Sequence, residues 1–330
     1  MPVAAWRRTW LGAVAAALLC GVGAELLSGY GPSTGHVGQV ILGLVFFAAL
    51  YGAPAVLARE VARRNEWGWP SLLFVYAGLG VAQCCLIDQS LFSADYQGYE
   101  GWEQAREGTW VPWLGVSAYN ALTFVLGHVI FSFGAPIAVA EAWRPAFAMR
   151  PWLGRAGVTV AVLAYGVTVA MIVGDPASRS ANGVQIAVSS LVVASLFGAA
   201  LVIGRRRTAT RDDPRATTRP AVVVLVAVVL AAVVESIQPT WTGVTVYAIA
   251  AGLGTWLLSR RHSSSSWTVR HAAAVGVGVL LARGLLAFIG DPVGGEVDAT
   301  FKYAHNAAML VVVIVAGWWA LRPRSPATAR

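Results

Sequence analysis

The sequence predicts an all-α integral membrane protein of about ten transmembrane helices with both termini in the cytoplasm. Three observations predict it. The 330 residues are 57% hydrophobic and only 12% charged, whereas a soluble chain carries about a quarter charged residues; mean hydropathy is +0.63. Ten stretches stay apolar for roughly 18 residues or more, enough to cross a hydrocarbon core of about 30 Å. With ten crossings and cytoplasmic termini, 20 of the 24 Lys and Arg fall inside, 3 outside and 1 within the membrane, the asymmetry of the positive-inside rule. Helices are required because no backbone polar group can be left unpaired in lipid.

The stretches run approximately 9–29, 37–58, 69–92, 112–142, 152–174, 183–204, 220–237, 242–259, 271–290 and 304–321. The opening "WRRTWLGAVAAALLC" (Trp6 to Cys20) has the twin arginines of an export signal, but nine further spans after it favour a first helix with its inner flank. The basic polar stretch Arg205 to Pro220 divides a six-helix region, 1–204, from a four-helix region, 221–330. Outside, Ser93 to Trp113 is rich in acids, Trp and Tyr and suits an interfacial anchor. Glu25 and Glu235 precede similar Ser, Pro, Thr and Gly exits, which hints at a repeat. Cys20, Cys84 and Cys85 read as small packing residues, since adjacent helical cysteines point about 100° apart. The basic balance reports topology and anionic lipid, and gives no case for nucleic acid.

Polar residues inside the spans give the candidate site. Glu25, Asp88 and Glu235 lie near the outer ends of spans 1, 3 and 7, Arg283 lies about 10 Å below the outer end of span 9, His305 opens span 10, and His128 is near the middle of span 4. Glu141 reads as an inner flank. Residues four apart share a helix face. Gly21 and Ala17 precede Glu25, Cys84 and Gly80 precede Asp88, Ala231 and Ala227 precede Glu235, and Gly276 and Ala287 flank Arg283. Small faces mark close helix approach, so these charges are expected to face protein, with Glu235 the favoured partner of Arg283. On span 10, Lys302, His305, Asn306 and Met309 form one face, and on span 4 Asn120, Phe124 and His128 are spaced by four. No H-E-x-x-H, Walker loop, G-x-S-x-G or dinucleotide fingerprint occurs, so neither metal nor cofactor is implied.

The stretches "ELLSG", "YGAPAVLAREVARRNEWGWPSLL" and "GVAQCCLIDQSLFSADY", between Glu25 and Tyr96, resemble a family of uncharacterised bacterial multi-pass membrane proteins. A glutamate pair common there in the third helix is loosely similar to the CAAX-protease and bacteriocin-processing intramembrane peptidases. "FVLGH" (Phe124 to His128) fits their F-x-x-x-H, but this chain has Gln83 and Cys84 at the pair. Gln83 cannot serve as a base, and Asp88 stands about 140° further round the helix.

The function expected is therefore non-enzymatic, because intramembrane charges usually mark a site. It is that of a permease-like or sensor protein of the bacterial plasma membrane, with an outer-half cluster that takes a small polar ligand, an ion or a proton. The alternatives are a degenerate peptidase-like hydrolase and a structural subunit of a membrane complex.

Overall fold

The computed structural model describes residues 3–29, 31, 33–206, 218–262, 266–292 and 294–323, with backbone alone for 3–9 and 259–262. The linker residues 207–217 lie outside them. The chain is 76% helical with almost no sheet. Ten helices of membrane-type composition are present among the described residues: α1 (Val3–Gly21, continued by Val22–Leu26), α2 (Val37–Arg64), α3 (Trp69–Ile87), α4 (Ala118–Ala142), α5 (Arg155–Gly174), α6 (Gly183–Arg205), α7 (Pro220–Glu235), α8 (Trp241–His262), α9 (Val269–Leu286) and α10 (Ala299–Leu321). Eight are long and apolar enough to cross a membrane. α7 (Pro220–Glu235) is shorter than the sequence suggested. The side carrying Ser93–Trp113 is called outer.

Local chemistry sets the ends. α3 stops because Gln89 adopts a left-handed conformation (φ 51°), opening a short turn at Ser90–Phe92. α4 starts six residues later than the apolar stretch, because Trp110–Val111 (β1) and Val116–Ser117 (β2) pair as a small antiparallel hairpin. Asn182 caps α6 reciprocally with Gln185, satisfying two first-turn groups.

The core is built on α1, α2, α4 and α9. Leu19, Leu26, Ala135, Val139, Ala273, Val277 and Val313 are all buried in one cluster, so helices on both sides of the linker share it. Small residues permit the close packing expected in lipid. A Cβ at Gly52 would lie 2.4 Å from Ala17 Cα, one at Gly276 2.6 Å from the Ala135 carbonyl oxygen, and one at Gly278 2.5 Å from that of Val224. α5, α6 and α8 stand at the periphery with 6–11% of their apolar windows buried, as lipid-facing helices should.

Four helices change to π geometry part-way: Val22–Leu26 in α1, Ala48–Gly52 in α2, Gln83–Ile87 in α3 and His128–Gly134 in α4. Such turns make up well under 1% of ordinary structure. Two have a clear cause. "YGAP" (Tyr51 to Pro54) and "FGAP" (Phe133 to Pro136) end the π segments of α2 and α4. Each proline lacks an N–H for the carbonyl four residues earlier, Leu50 or Ser132, and its ring crowds that carbonyl. The segments in α1 and α3 end their helices with no proline beside them.

Candidate functional site

The π segment of α4 packs against those of α1 and α2, and the three bring together Glu25, Tyr51 and His128. Tyr51 Oη donates to Glu25 Oε1 at 2.6 Å. The Tyr51 ring stacks on the His128 ring, centroids 5.3 Å apart and 28° from parallel, and Phe133 lies against both rings. His128 Nδ1 is 3.0 Å from Ser132 Oγ, one turn along α4. A Cβ at Gly23 would meet the Phe131 carbonyl oxygen at 2.5 Å, so only glycine lets α1 approach α4 this closely.

Arg283 of α9 enters beside this group. Its Nε donates to Ser28 Oγ at 2.8 Å, its Nη1 is 3.5 Å from Glu235 Oε2, and its guanidinium carbon lies 4.3 Å from the Phe131 ring centroid. A cation over an aromatic face is attracted by the ring quadrupole. α7 and α9 run outward together and pack closely, with Ala227 and Ala231 buried, so the small faces do bring Glu235 to Arg283. The Arg283 and Glu235 side chains keep 20% and 25% of their surface uncovered by protein.

The other two candidates have different partners. Asp88 is buried at the end of α3, accepting from Gln83 Nε2 at 3.0 Å and from the Ser90 N–H at 2.9 Å, so its partners lie on its own segment. His305 Nε2 donates to the Leu26 carbonyl at 2.7 Å, and Asn306 Nδ2 to that of Ala287 at 2.8 Å. These are final carbonyls of α1 and α9, which have no partner inside their own helices. α10 thus caps two of the helices that form the site. Among the described residues no three His, Cys, Asp or Glu could hold a metal ion.

The outer segment after α3 folds over the site. It contains a short helix, Trp102–Glu107. Trp102 donates to the Ser93 carbonyl at 3.1 Å and packs on Tyr96 and Phe124. Burial raises the Tyr96 hydroxyl pKa, and the charges of Asp88 and Glu25 raise it further; burial and then Glu25 do the same to Tyr99. Both tyrosines are therefore within electrostatic range of the Glu25 carboxylate. Gly294, with φ +85°, passes under the Tyr99 ring.

The sequence reading missed a second network, at the inner face. Glu141 is fully buried between Arg59 and Arg63. Arg59 Nε and Arg63 Nε both donate to Oε1 at 2.9 Å, and Arg63 Nη2 donates to Oε2 at 3.0 Å. Arg59 also donates to the carbonyls of Phe147, Ala148 and Arg150 and stacks on Trp152 at 3.4 Å. Glu60 Oε2 accepts the N–H groups of Trp152 and Leu153, while Arg64 donates to its Oε1. The residues after α4 are thereby fastened onto the inner end of α2. One signal was available: Glu60 and Glu141 follow the two Gly-Ala-Pro sequences by similar intervals.

The model of an uncharacterized membrane protein family matches residues 14–325. The chain belongs to that family. The match takes in both sides of the Arg205–Pro220 linker, well beyond the Glu25–Tyr96 stretch that first carried the resemblance. None of the comparisons supports a likeness to the bacteriocin-processing peptidases. No curated protein and no solved structure matches the chain. The family is one of membrane proteins.

Proposed function

We propose that the protein is a permease-like or sensor protein of the bacterial plasma membrane. Its outer-half cluster of Glu25, Tyr51, His128, Arg283 and Glu235 takes a small polar ligand, an ion or a proton from the outer side. The observation that carries the reading is the convergence of three π segments on Tyr51, Glu25 and His128. π turns recur at functional sites because the extra residue redirects side chains from the regular helix face. A carboxylate, a phenol and an imidazole in contact can each exchange a proton. The arginine beside them offers a fixed positive charge, and its partial exposure fits an approach from outside. The six-helix and four-helix regions are taken as the two parts of this one membrane unit.

The hydrolase alternative needs a carboxylate on His128. Among the described residues its hydrogen-bonding partner is Ser132, while the Gln83 amide is on Asp88. The non-catalytic reading is therefore preferred.

Accessibility tests it. Ser28→Cys, with Cys20, Cys84 and Cys85 replaced by Ala, is expected to react with a membrane-impermeant thiol reagent added outside, and to react more slowly when Arg283→Leu removes the adjacent cation. If Gln97→Cys reacts while Ser28→Cys in the folded protein does not, the cluster is closed and dry, and the structural-subunit alternative takes its place.

A further inference from the structure

We propose that the cleft between α5 and α6 binds an anionic phospholipid of the inner leaflet, one acyl chain lying in the cleft and the phosphate at its arginine-bearing mouth. α5 and α6 follow one another in the chain, yet they pack more on α2 and α3 than on each other. The space left between them is floored by α2 and α3. It measures about 390 Å³ and is lined by Pro54, Val61, Leu79, Tyr165, Phe197 and Leu201, among others, with no charged residue in its lining. Val61, Phe197 and Leu201 keep 48%, 36% and 44% of their surface, so the cleft is open to the hydrocarbon at its side.

Length and volume select the occupant. The lining runs from Trp67, in the inner turn between α2 and α3, to Tyr165, ten residues along α5 from Arg155. At 1.5 Å per residue this is about 15 Å, half of a hydrocarbon core of about 30 Å and so the depth of one leaflet. A partner helix of that length and about 10 Å across would need roughly 1,200 Å³, three times the space present. A single hydrocarbon chain entering from the inner leaflet is what the cleft can seat.

Charge complementarity points the same way. On α6, Phe197, Leu201 and Arg205 are spaced by four, and on α2, Leu57, Val61 and Arg64 by four and three. Each apolar stripe that walls the cleft therefore ends at the inner face in an arginine on the same side of its helix. Arg64 is 47% exposed even while it pairs with Glu60, and Arg205 and Arg206 are exposed. Against these three arginines stand two nearby acids, Glu60 and Glu66, so the mouth is net positive. Anionic lipid headgroups of the cytoplasmic leaflet are drawn to such sites, and a guanidinium matches a phosphate in geometry.

Photo-crosslinking of the full-length protein in phosphatidylcholine nanodiscs provides the test, with phosphatidylglycerol carrying a diazirine in one acyl chain as the probe. Cross-links are expected to concentrate on Val61, Leu79, Phe197 and Leu201, and unlabelled phosphatidylglycerol should compete for them far better than added phosphatidylcholine. Arg64→Gln with Arg205→Gln should lose roughly tenfold in that preference, as for loss of a charge-assisted contact. Arg219→Gln with Arg322→Gln, inner-face arginines on the other side of the linker, should keep it. Val61→Trp narrows the cleft and leaves every charge in place; it should remove the cross-links at Phe197 and Leu201, and it guards against a folding defect in the arginine pair. Labelling spread evenly over the exposed faces of α5, α6 and α8, or equal competition by the two lipids, overturns the proposal. A disulfide-linked dimer formed through Val61→Cys would place a second copy over the cleft and overturn it as well.

Discussion

Glu141→Gln is the substitution that bears hardest on this structure. The change keeps the size of the side chain and removes one negative charge from between two guanidiniums, where Glu141 and Arg59 are 2% and 0% exposed. Breaking a buried ion pair from one side costs about 3–5 kcal/mol, because the remaining charge is stranded. The two arginines do not suffer equally. Arg59 retains three backbone carbonyls and the face of Trp152, whereas Arg63 keeps the Trp67 carbonyl at 2.7 Å. Most of the loss should therefore pass through Arg63, and Arg63→Gln added to Glu141→Gln should recover about 2–3 kcal/mol of coupling in a double-mutant cycle. At about 2 °C per kcal/mol for a large domain, Glu141→Gln alone lowers Tm in detergent by about 6–10 °C. Glu103→Gln on the outer loop is the control. A drop no larger than that control, or strictly additive losses for Glu141 and Arg63, would refute the reasoning and reduce Glu141 to an inner flank.

The remaining predictions use the same preparation. Gln97→Cys should be labelled from outside in intact cells and Thr210→Cys should not, and the reverse pattern would invert every assignment of depth. Arg283→Leu should destabilise more than Arg283→Leu with Glu235→Gln. The coupling is expected near 1 kcal/mol, since a 3.5 Å pair a fifth to a quarter exposed is partly screened; additive losses would leave Arg283 held by Ser28 and Phe131 alone. Gly52→Ala should cost about 1–3 kcal/mol by overpacking against Ala17, and Gly166→Ala, which meets nothing within 4 Å, should be neutral or stabilising.

What the sequence made legible follows from what lipid demands of a chain. Spans were readable because the bilayer leaves helices as the solution for every one of them, and the Arg283–Glu235 pairing was readable because small residues mark the faces that touch. Asp88 shows the limit of that argument. A small face says that a side chain meets protein, but not which protein, and here the neighbours are Gln83 and Ser90 on its own segment. Glu141 was hidden for the opposite reason. Charges at the inner ends of spans are expected for topology alone, so apart from the similar spacing of Glu60 and Glu141 from the two Gly-Ala-Pro sequences, little in the pattern announces that residues 143–153 fold back and bury Arg59, Arg63 and Glu141 together. Tyr51 was invisible because a lone tyrosine in an apolar helix has no periodicity to betray it, and Ser28 because it lies just past a helix end.

The paired Gly-Ala-Pro sequences connect the two networks. In α2 and α4 alike the proline frees a carbonyl one turn earlier and forces a wide turn. The segment on its outer side then faces a direction that an unbroken helix would not give it. Tyr51 and His128 lie in those redirected turns, while Glu60 and Glu141 lie on the regular inner turns that follow. Small residues beside the prolines let neighbours close in, with Gly52 against Ala17 on α1 and Ala135 against Gly276 on α9. The inner halves are thus pinned by ion pairs that are satisfied within the chain, and the outer halves present a carboxylate, a phenol, an imidazole and an arginine under a folded loop. Rigidity and chemistry are divided at the two prolines. Because that division is written into the backbone, the same two helices carry the inner clamp and the outer cluster.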